Sequence, residues 1–215
     1  MNDPYYESRF KYDSTRDVVW KEVVRYESRF IPPDAVVLDL GAGYCNFINN
    51  IRAKKKYALD ISPELTHFAG KDVTTIQKAP WELGQLSDLS VDVVHASNFL
   101  EHFTDDELEK IMREIKRVLK PGGRLILMQP NYRFSYVEYF DDYTHKKVFS
   151  DIALEGFLSS HAFTTIVKKP RFLPYSMRSK PSMIPGALLS LVVRLYLNSP
   201  WKPRAGQMLF VAQKR

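Results

Sequence analysis

Cysteine is almost missing from this chain: Cys45 stands alone in 215 residues. That excludes an internal disulfide framework and fits a reducing compartment. No group of Cys and His lies at zinc spacing, so no structural zinc site is encoded. Long apolar runs are missing too. The longest, Gly186 to Leu197, is interrupted by Arg194 and falls short of the ~20 residues that a membrane-crossing helix needs. No apolar stretch follows a basic start at the N-terminus, so no signal peptide is expected and the expected location is cytoplasmic. Acidic residues vanish beyond Glu155. All 25 Asp and Glu lie at or before it, whereas residues 156–215 carry ten Lys or Arg without counter-charge. Such segregation points to an anionic acceptor or an anionic surface near the C-terminal part, with a solvated basic face as the plain alternative. Internal repeats and low-complexity tracts are absent as well, which leaves one domain with an appendage as the expectation.

What is present has a clear order. Residues 1–34 mix aromatic and charged side chains, with Val18, Val19, Val23, Val24 and Tyr26 at near-helical spacing before Pro32-Pro33, and read as a helical entry segment. Residues 35–163 then alternate short apolar runs with helices, the pattern of βαβ units on a parallel sheet buried on both faces. The expected strands are Ala35–Leu40, Lys56–Asp60, Thr74–Gln77, Ser90–Ala96 and Arg124–Met128. The clearest helix opens at Thr104 with Glu107 as a capping box, carries its stripe through Leu108, Ile111, Met112, Ile115, Val118 and Leu119, and is expected to end at Pro121-Gly122-Gly123. A second helix is expected after the second strand, with Ser62 as cap and Pro63 at its first position. Residues 164–215 form a basic C-terminal portion that completes the sheet, with a lid or acceptor-binding insertion. It holds a strand at Thr164–Lys168 after a helix from Phe149 to Ala162, then a Pro-rich basic stretch, the apolar tract and a final strand Gln207–Gln213.

The stretch Val37-Leu38-Asp39-Leu40-Gly41-Ala42-Gly43-Tyr44-Cys45 places a glycine bend between strand and helix. Glycine lets backbone approach a ligand and adopt positive φ, while the next helix offers unpaired N–H groups. Without a Lys-Ser/Thr pair it is no P-loop, and Cys45 in place of a third glycine weakens a dinucleotide reading. Asp60, closing the second strand, adds a carboxylate able to accept both hydroxyls of a ribose.

In these motifs the chain resembles the class I S-adenosylmethionine-dependent methyltransferases from about Val36 to Phe163. The resemblance rests on Leu38-Asp39-Leu40-Gly41-Ala42-Gly43, Ala58-Leu59-Asp60-Ile61-Ser62, Val91-Asp92-Val93-Val94 leading into Asn98-Phe99-Leu100-Glu101-His102, and Leu119-Lys120-Pro121-Gly122-Gly123-Arg124-Leu125. It implies an α/β, Rossmann-like seven-stranded sheet, mostly parallel with one antiparallel strand and helices on both faces, and S-adenosylmethionine as cofactor. It further implies that Gly41, Ala42 and Gly43 sit against the methionine part, that Asp39 supports the amino group, and that Asp60 grips the ribose with Ile61 against adenine. Asn98 and Phe99 would close over the carboxyl and sulfonium region. Relatives often carry an acidic residue after the third strand; here Lys78 and Ala79 stand there, so adenine recognition is expected to rest on backbone at Ala79 and packing by Trp81.

Methyl transfer from a sulfonium needs an aligned acceptor, and a base only if that acceptor keeps its proton. His102 and His145 are the candidate catalytic residues, each with a plainer reading: a hydrogen bond at a loop or helix start for His102, a cap near Ser150 for His145. Tyr132, Tyr136 and Tyr143 are candidates to stack on the acceptor. A similar Glu-x-x-Glu-His pattern in some O-methyltransferases binds a divalent metal, but Asn98 replaces the first Glu and hard cations prefer carboxylates, so no metal is expected. The expected acceptor is a small or lipid- or sugar-linked molecule taking the methyl on O or N, with peripheral contact to a membrane as a further expectation. An RNA methyltransferase is the alternative; nucleic acid is disfavoured because no Asn/Asp-Pro-Pro-Tyr/Phe loop follows the fourth strand. A non-catalytic binder of the same fold is the third reading, opposed by the intact glycine bend and Asp60.

Overall fold

The computed structural model describes residues 14–175 and 185–215. Its centre is a seven-stranded sheet in the order β3-β2-β1-β4-β5-β7-β6. In chain order the elements are α1 (Ser14–Glu27), β1 (Val36–Leu40), α2 (Asn46–Asn50), β2 (Lys55–Asp60), α3 (Leu65–Phe68), β3 (Val73–Gln77), β4 (Val91–Ser97), α4 (Asp105–Val118), β5 (Leu119–Pro130), α5 (Tyr132–Ser135), α6 (Asp151–Ser160), β6 (Phe163–Lys169), α7 (Gly186–Asn198) and β7 (Gln207–Lys214). Strands β1 to β5 pair in parallel, and β7 runs antiparallel to both β5 and β6. This is the sheet implied by the resemblance, with β7 as its one reversed strand.

Alternation along the strands builds two cores. Leu125 and Leu127 of β5, with Leu38 and Leu40 of β1 and Phe210 of β7, face a core shared with α4 and α6. Ile126, Met128, Val37, Leu209 and Val211 face the opposite core, shared with α1, α2 and the last turn of α7. Period two in the strands therefore clothes both faces, as a parallel sheet requires.

The expected helix caps divide into one that forms and one that does not. Thr104 and Glu107 form the reciprocal capping box at the start of α4. Its stripe of Leu108, Ile111, Met112, Ile115 and Val118 is fully buried. The helix, however, stops at Val118, and Leu119 to Gly123 are already part of β5, where the β4–β5 register shifts between Val91 and Val93. Pro121 cannot continue a helix and Gly122 takes φ +72, so this segment bends the strand rather than capping the helix. After β2, α3 begins only at Leu65, and Ser62 accepts the Glu64 N–H at 3.2 Å. The expected Ser62-Pro63 start is therefore a turn ahead of a single helical turn. The helix expected from Phe149 to Ala162 spans Asp151–Ser160 with Ser150 as its side-chain cap, and Phe149 is buried ahead of it. The start of the entry segment and the Pro-rich basic stretch with Arg178 and Lys180 lie outside the described residues.

Candidate active site

Strand order reverses between β1 and β4, the place where open α/β sheets leave a crevice at their carboxyl ends. A cavity of about 350 Å³ lies there, large enough for a small ligand. Its lining includes Asp39, Gly41, Ala42, Gly43, Asp60, Ile61, Asn98, Phe99 and His102. Nine of the eleven residues expected from sequence thus meet in one place, although they come from three strands and the loops after them. The other two do not line it. Pro80 takes the wall position rather than Ala79, while Trp81 turns away to pack edge-on against Phe103. His145 is buried behind His102, ring centroids 5.0 Å apart.

The glycine bend is stitched to β2. Gly41 and Ala42 both donate to the Leu59 carbonyl, at 2.9 and 3.0 Å, and Gly43 N–H donates to Asp60 Oδ2 at 2.8 Å. Gly41 holds φ +68, and a Cβ there would sit 2.4 Å from the Phe99 ring. Only glycine allows both the bend and the ring above it. Ser62 N–H donates to the other Asp60 oxygen at 2.9 Å. Burial raises the Asp60 pKa, against the lowering effect of the Ser62 and Gly43 N–H groups, and the nearby Asp39 charge raises it further. A carboxylate held rigidly from one side leaves its remaining lone pairs for a ligand. Cys45, at φ 57, heads α2; burial and the Asp39 and Asp60 charges push its thiol up to about 12, so it is a structural thiol.

Sequence reading missed the group behind Asp39. His95 lies opposite Asp39 in the β1–β4 register, and their side chains meet at 2.7 Å. Its other nitrogen faces Glu27, from the end of α1, at 3.4 Å. All three are buried. Burial alone would lower the His95 pKa, but the Asp39 and Glu27 charges outweigh it and push it up to about 9. Phe47 stacks on the ring, centroids 3.6 Å apart. The available signal was a histidine flanked by the buried Val93, Val94 and Ala96 of a strand.

On the acceptor side, Asp142 accepts the Thr144 hydroxyl at 2.6 Å, and Thr144 Oγ1 lies 2.9 Å from His102 Nδ1. Because the single hydroxyl proton goes to the carboxylate, Thr144 accepts from Nδ1–H, which makes Nε2 the basic nitrogen of His102. Burial and the neighbouring His145 push His102 down to about 4, so it is neutral at pH 7. Burial also lowers the pKa of His145. Glu101 is fully buried, and both its carboxylate oxygens lack a hydrogen-bond partner among the described residues. Burial pushes it up to about 8, a neutral acid at pH 7. Glu101, His102 and His145 place donor atoms within 4.8 Å of one another, a spacing that could hold a metal ion. Asn98 is engaged elsewhere: its side-chain oxygen accepts from Gln207 Nε2 at 2.9 Å. The three candidate stacking tyrosines scatter. Tyr132 packs edge-on against Tyr139, and Tyr136 and Tyr143 are exposed.

Residues 38–127 match a family described as a methyltransferase domain. Among curated proteins, the probable cobalt-precorrin-6B C(15)-methyltransferase (decarboxylating) of Methanothermobacter thermautotrophicus is 33% identical over 104 residues, covering 43% of this chain and 50% of that protein. The chain spans from about a third to half of the length of the first curated relatives it matches. Among solved structures, a SAM-dependent methyltransferase from Archaeoglobus fulgidus superposes with a TM-score of 0.67 at 18% identity, covering 99% of this chain and all of that one. The 1,6-didemethyltoxoflavin-N1-methyltransferase of Burkholderia thailandensis, solved with S-adenosylhomocysteine, gives a TM-score of 0.60 at 19% identity over 94% of this chain and 80% of its own. Residues 38–127 carry a methyltransferase domain, and the reversed β7, the crevice at the β1–β4 switch and the bend tied to Asp60 are set in a fold shared with solved S-adenosylmethionine-dependent methyltransferases.

Proposed function

We propose that the chain moves a methyl group from S-adenosylmethionine to oxygen or nitrogen of a small or lipid- or sugar-linked acceptor. The observation that carries the reading is the cavity itself, where Asp60, clamped by Gly43 and Ser62, and His102 share one space.

In this reading the bare backbone of Gly41 and Gly43 receives the methionine part. Asp39, braced by His95, holds the amino group. Asp60 accepts the ribose hydroxyls, with Ile61 flanking adenine, and Asn98 and Phe99 cover the sulfonium end. When bound, the cofactor supplies an electrophilic methyl group. The chain supplies alignment, the main source of rate in such a displacement. His102 Nε2 takes the proton after the acceptor has attacked. An oxygen that has just gained a methyl is strongly acidic, so a base near pKa 4 suffices, and Thr144 with Asp142 fixes its orientation. His145 and the neutral Glu101 pack behind it and keep water out.

Calorimetry with S-adenosylhomocysteine tests the cofactor half. Asp60→Ala is expected to weaken binding by ~10- to 100-fold, the worth of charge-assisted hydrogen bonds. Unchanged affinity in that variant would refute the assignment. The acceptor half is tested by tritiated methyl transfer into fractionated cell extract: label in a small or lipid-extractable product supports it, label in RNA alone refutes it.

A further inference from the structure

Helix α7 is apolar over most of its length, yet Leu197 is its one fully buried side chain. Its inner face packs Val193, Tyr196 and Leu197 against the core and also meets α1 through polar groups: Ser190 donates to Glu22 at 2.6 Å and Arg194 forks onto the same carboxylate at 3.0 and 3.1 Å. Its outer face is apolar. Leu188, Leu191, Val192 and Leu195, spaced i, i+3, i+4, i+7, are 47–63% exposed, a continuous stripe with no charge in it. Just beyond the helix Trp201 is 76% exposed. A soluble surface normally turns this pattern round, and a contiguous exposed apolar stripe marks an interaction face.

At the C-terminal end of the same helix lies a second cavity, of about 320 Å³, which shares no residue with the cofactor cavity. Arg29, Lys169 and Lys202 line it together with Tyr26 and Phe172, and among the described residues no carboxylate does. Among the described residues none of the three cations makes an ion pair. Arg29 is held by Asn198 at 2.6 Å, and Lys202 by the Leu197 carbonyl at 3.0 Å. Burial and the charge of Lys169 lower the pKa of Lys202, so the two like charges lie close enough to repel. An anion relieves that repulsion.

We propose that the outer face of α7 and the cavity at its end form one docking surface for an anionic phospholipid bilayer, with a headgroup phosphate held among Arg29, Lys169 and Lys202. The 13-residue helix is far shorter than the ~20 residues that span a bilayer, so it lies in the interface plane with its leucines inward and Trp201 at headgroup level. The absence of acidic residues after Glu155 supplies the matching field. The surface goes beyond methyl transfer, and would place the cofactor cavity near lipid-linked molecules.

The test sediments the full chain with vesicles of phosphatidylcholine, with and without phosphatidylglycerol. Binding is expected to the phosphatidylglycerol vesicles and to weaken with added salt. Leu195→Glu is expected to lower partition by at least ~10-fold, through lost apolar burial and added charge. Lys169→Glu, at an exposed position, is expected to lower it by ~5-fold or more. If Leu195→Glu misfolds by circular dichroism, Leu188→Gln takes its place. Affinity for S-adenosylhomocysteine stays at the wild-type value in all three, which separates this surface from the cofactor site. The proposal is overturned by equal partition to both vesicle types, by no partition, or by variants that bind as wild type. It is equally overturned if inorganic phosphate binds but vesicles do not, or if Leu195→Glu only abolishes a dimer seen by light scattering.

Discussion

At the scale of single residues, two positions concentrate the physics of the cofactor cavity. Gly41 combines positive φ with a ring 2.4 Å from any added Cβ. Gly41→Ala therefore forces either the bend or Phe99 to move, and is expected to cost ~1–3 kcal/mol of stability and to abolish calorimetric binding of S-adenosylhomocysteine. Retained binding would show that the bend is not the cofactor floor. His95 is the second. It stands between two buried carboxylates, so His95→Gln leaves both uncompensated and is expected to destabilise by ~3–5 kcal/mol in denaturant unfolding. Its pKa rises on folding, from the ordinary 6.5 to about 9, so the charged ring stabilises the fold fully below pH 6.5. That contribution is lost as pH rises towards 9. A fall in stability across pH 6.5 to 9, reduced in His95→Gln, is the expected signature, and an unchanged profile would remove His95 from the account.

At the scale of elements, α4 is the piece most directly written in the chain. Its capping box and buried stripe agree, and local and tertiary preferences reinforce each other. Thr104→Ala is expected to lose ~1 kcal/mol, read as a lower denaturant midpoint with an unchanged slope. Where local signals were weaker, packing overruled them. Ser62-Pro63 resembles a helix start, yet the Ser62 N–H is drawn to Asp60, and the helix waits until Leu65. Helix α7 shows the reverse. Its apolar tract was visible as a string of letters, but the face it turns outward follows from Glu22 of α1, which captures Ser190 and Arg194.

At the scale of the whole molecule, the cofactor cavity joins parts far apart in sequence, so a ligand bridging them stabilises the fold by mass action. S-adenosylhomocysteine at a hundred times its Kd is expected to add ~2.7 kcal/mol, seen as a rise in Tm, and no rise at saturating ligand would contradict the assignment. Among the described residues no helix is long and apolar enough to cross a membrane, so the contact inferred for α7 is one of surface alone.

The chain by itself determined the order of strands and helices, the glycine bend and the carboxylate of Asp60, because each depends on spacing within a few residues: period two for a buried strand, a capping pair three apart, a glycine where φ must be positive. It could not place Asp39, His95 and Glu27 together, nor seat Thr144 on His102, nor keep Ala79 and His145 off the cavity wall. Those relations join residues up to 68 apart in sequence, from Glu27 to His95. Only the sheet register and the packing of helices on its two faces bring them into contact, since charge pairs at such separations exist only after the chain has closed around them.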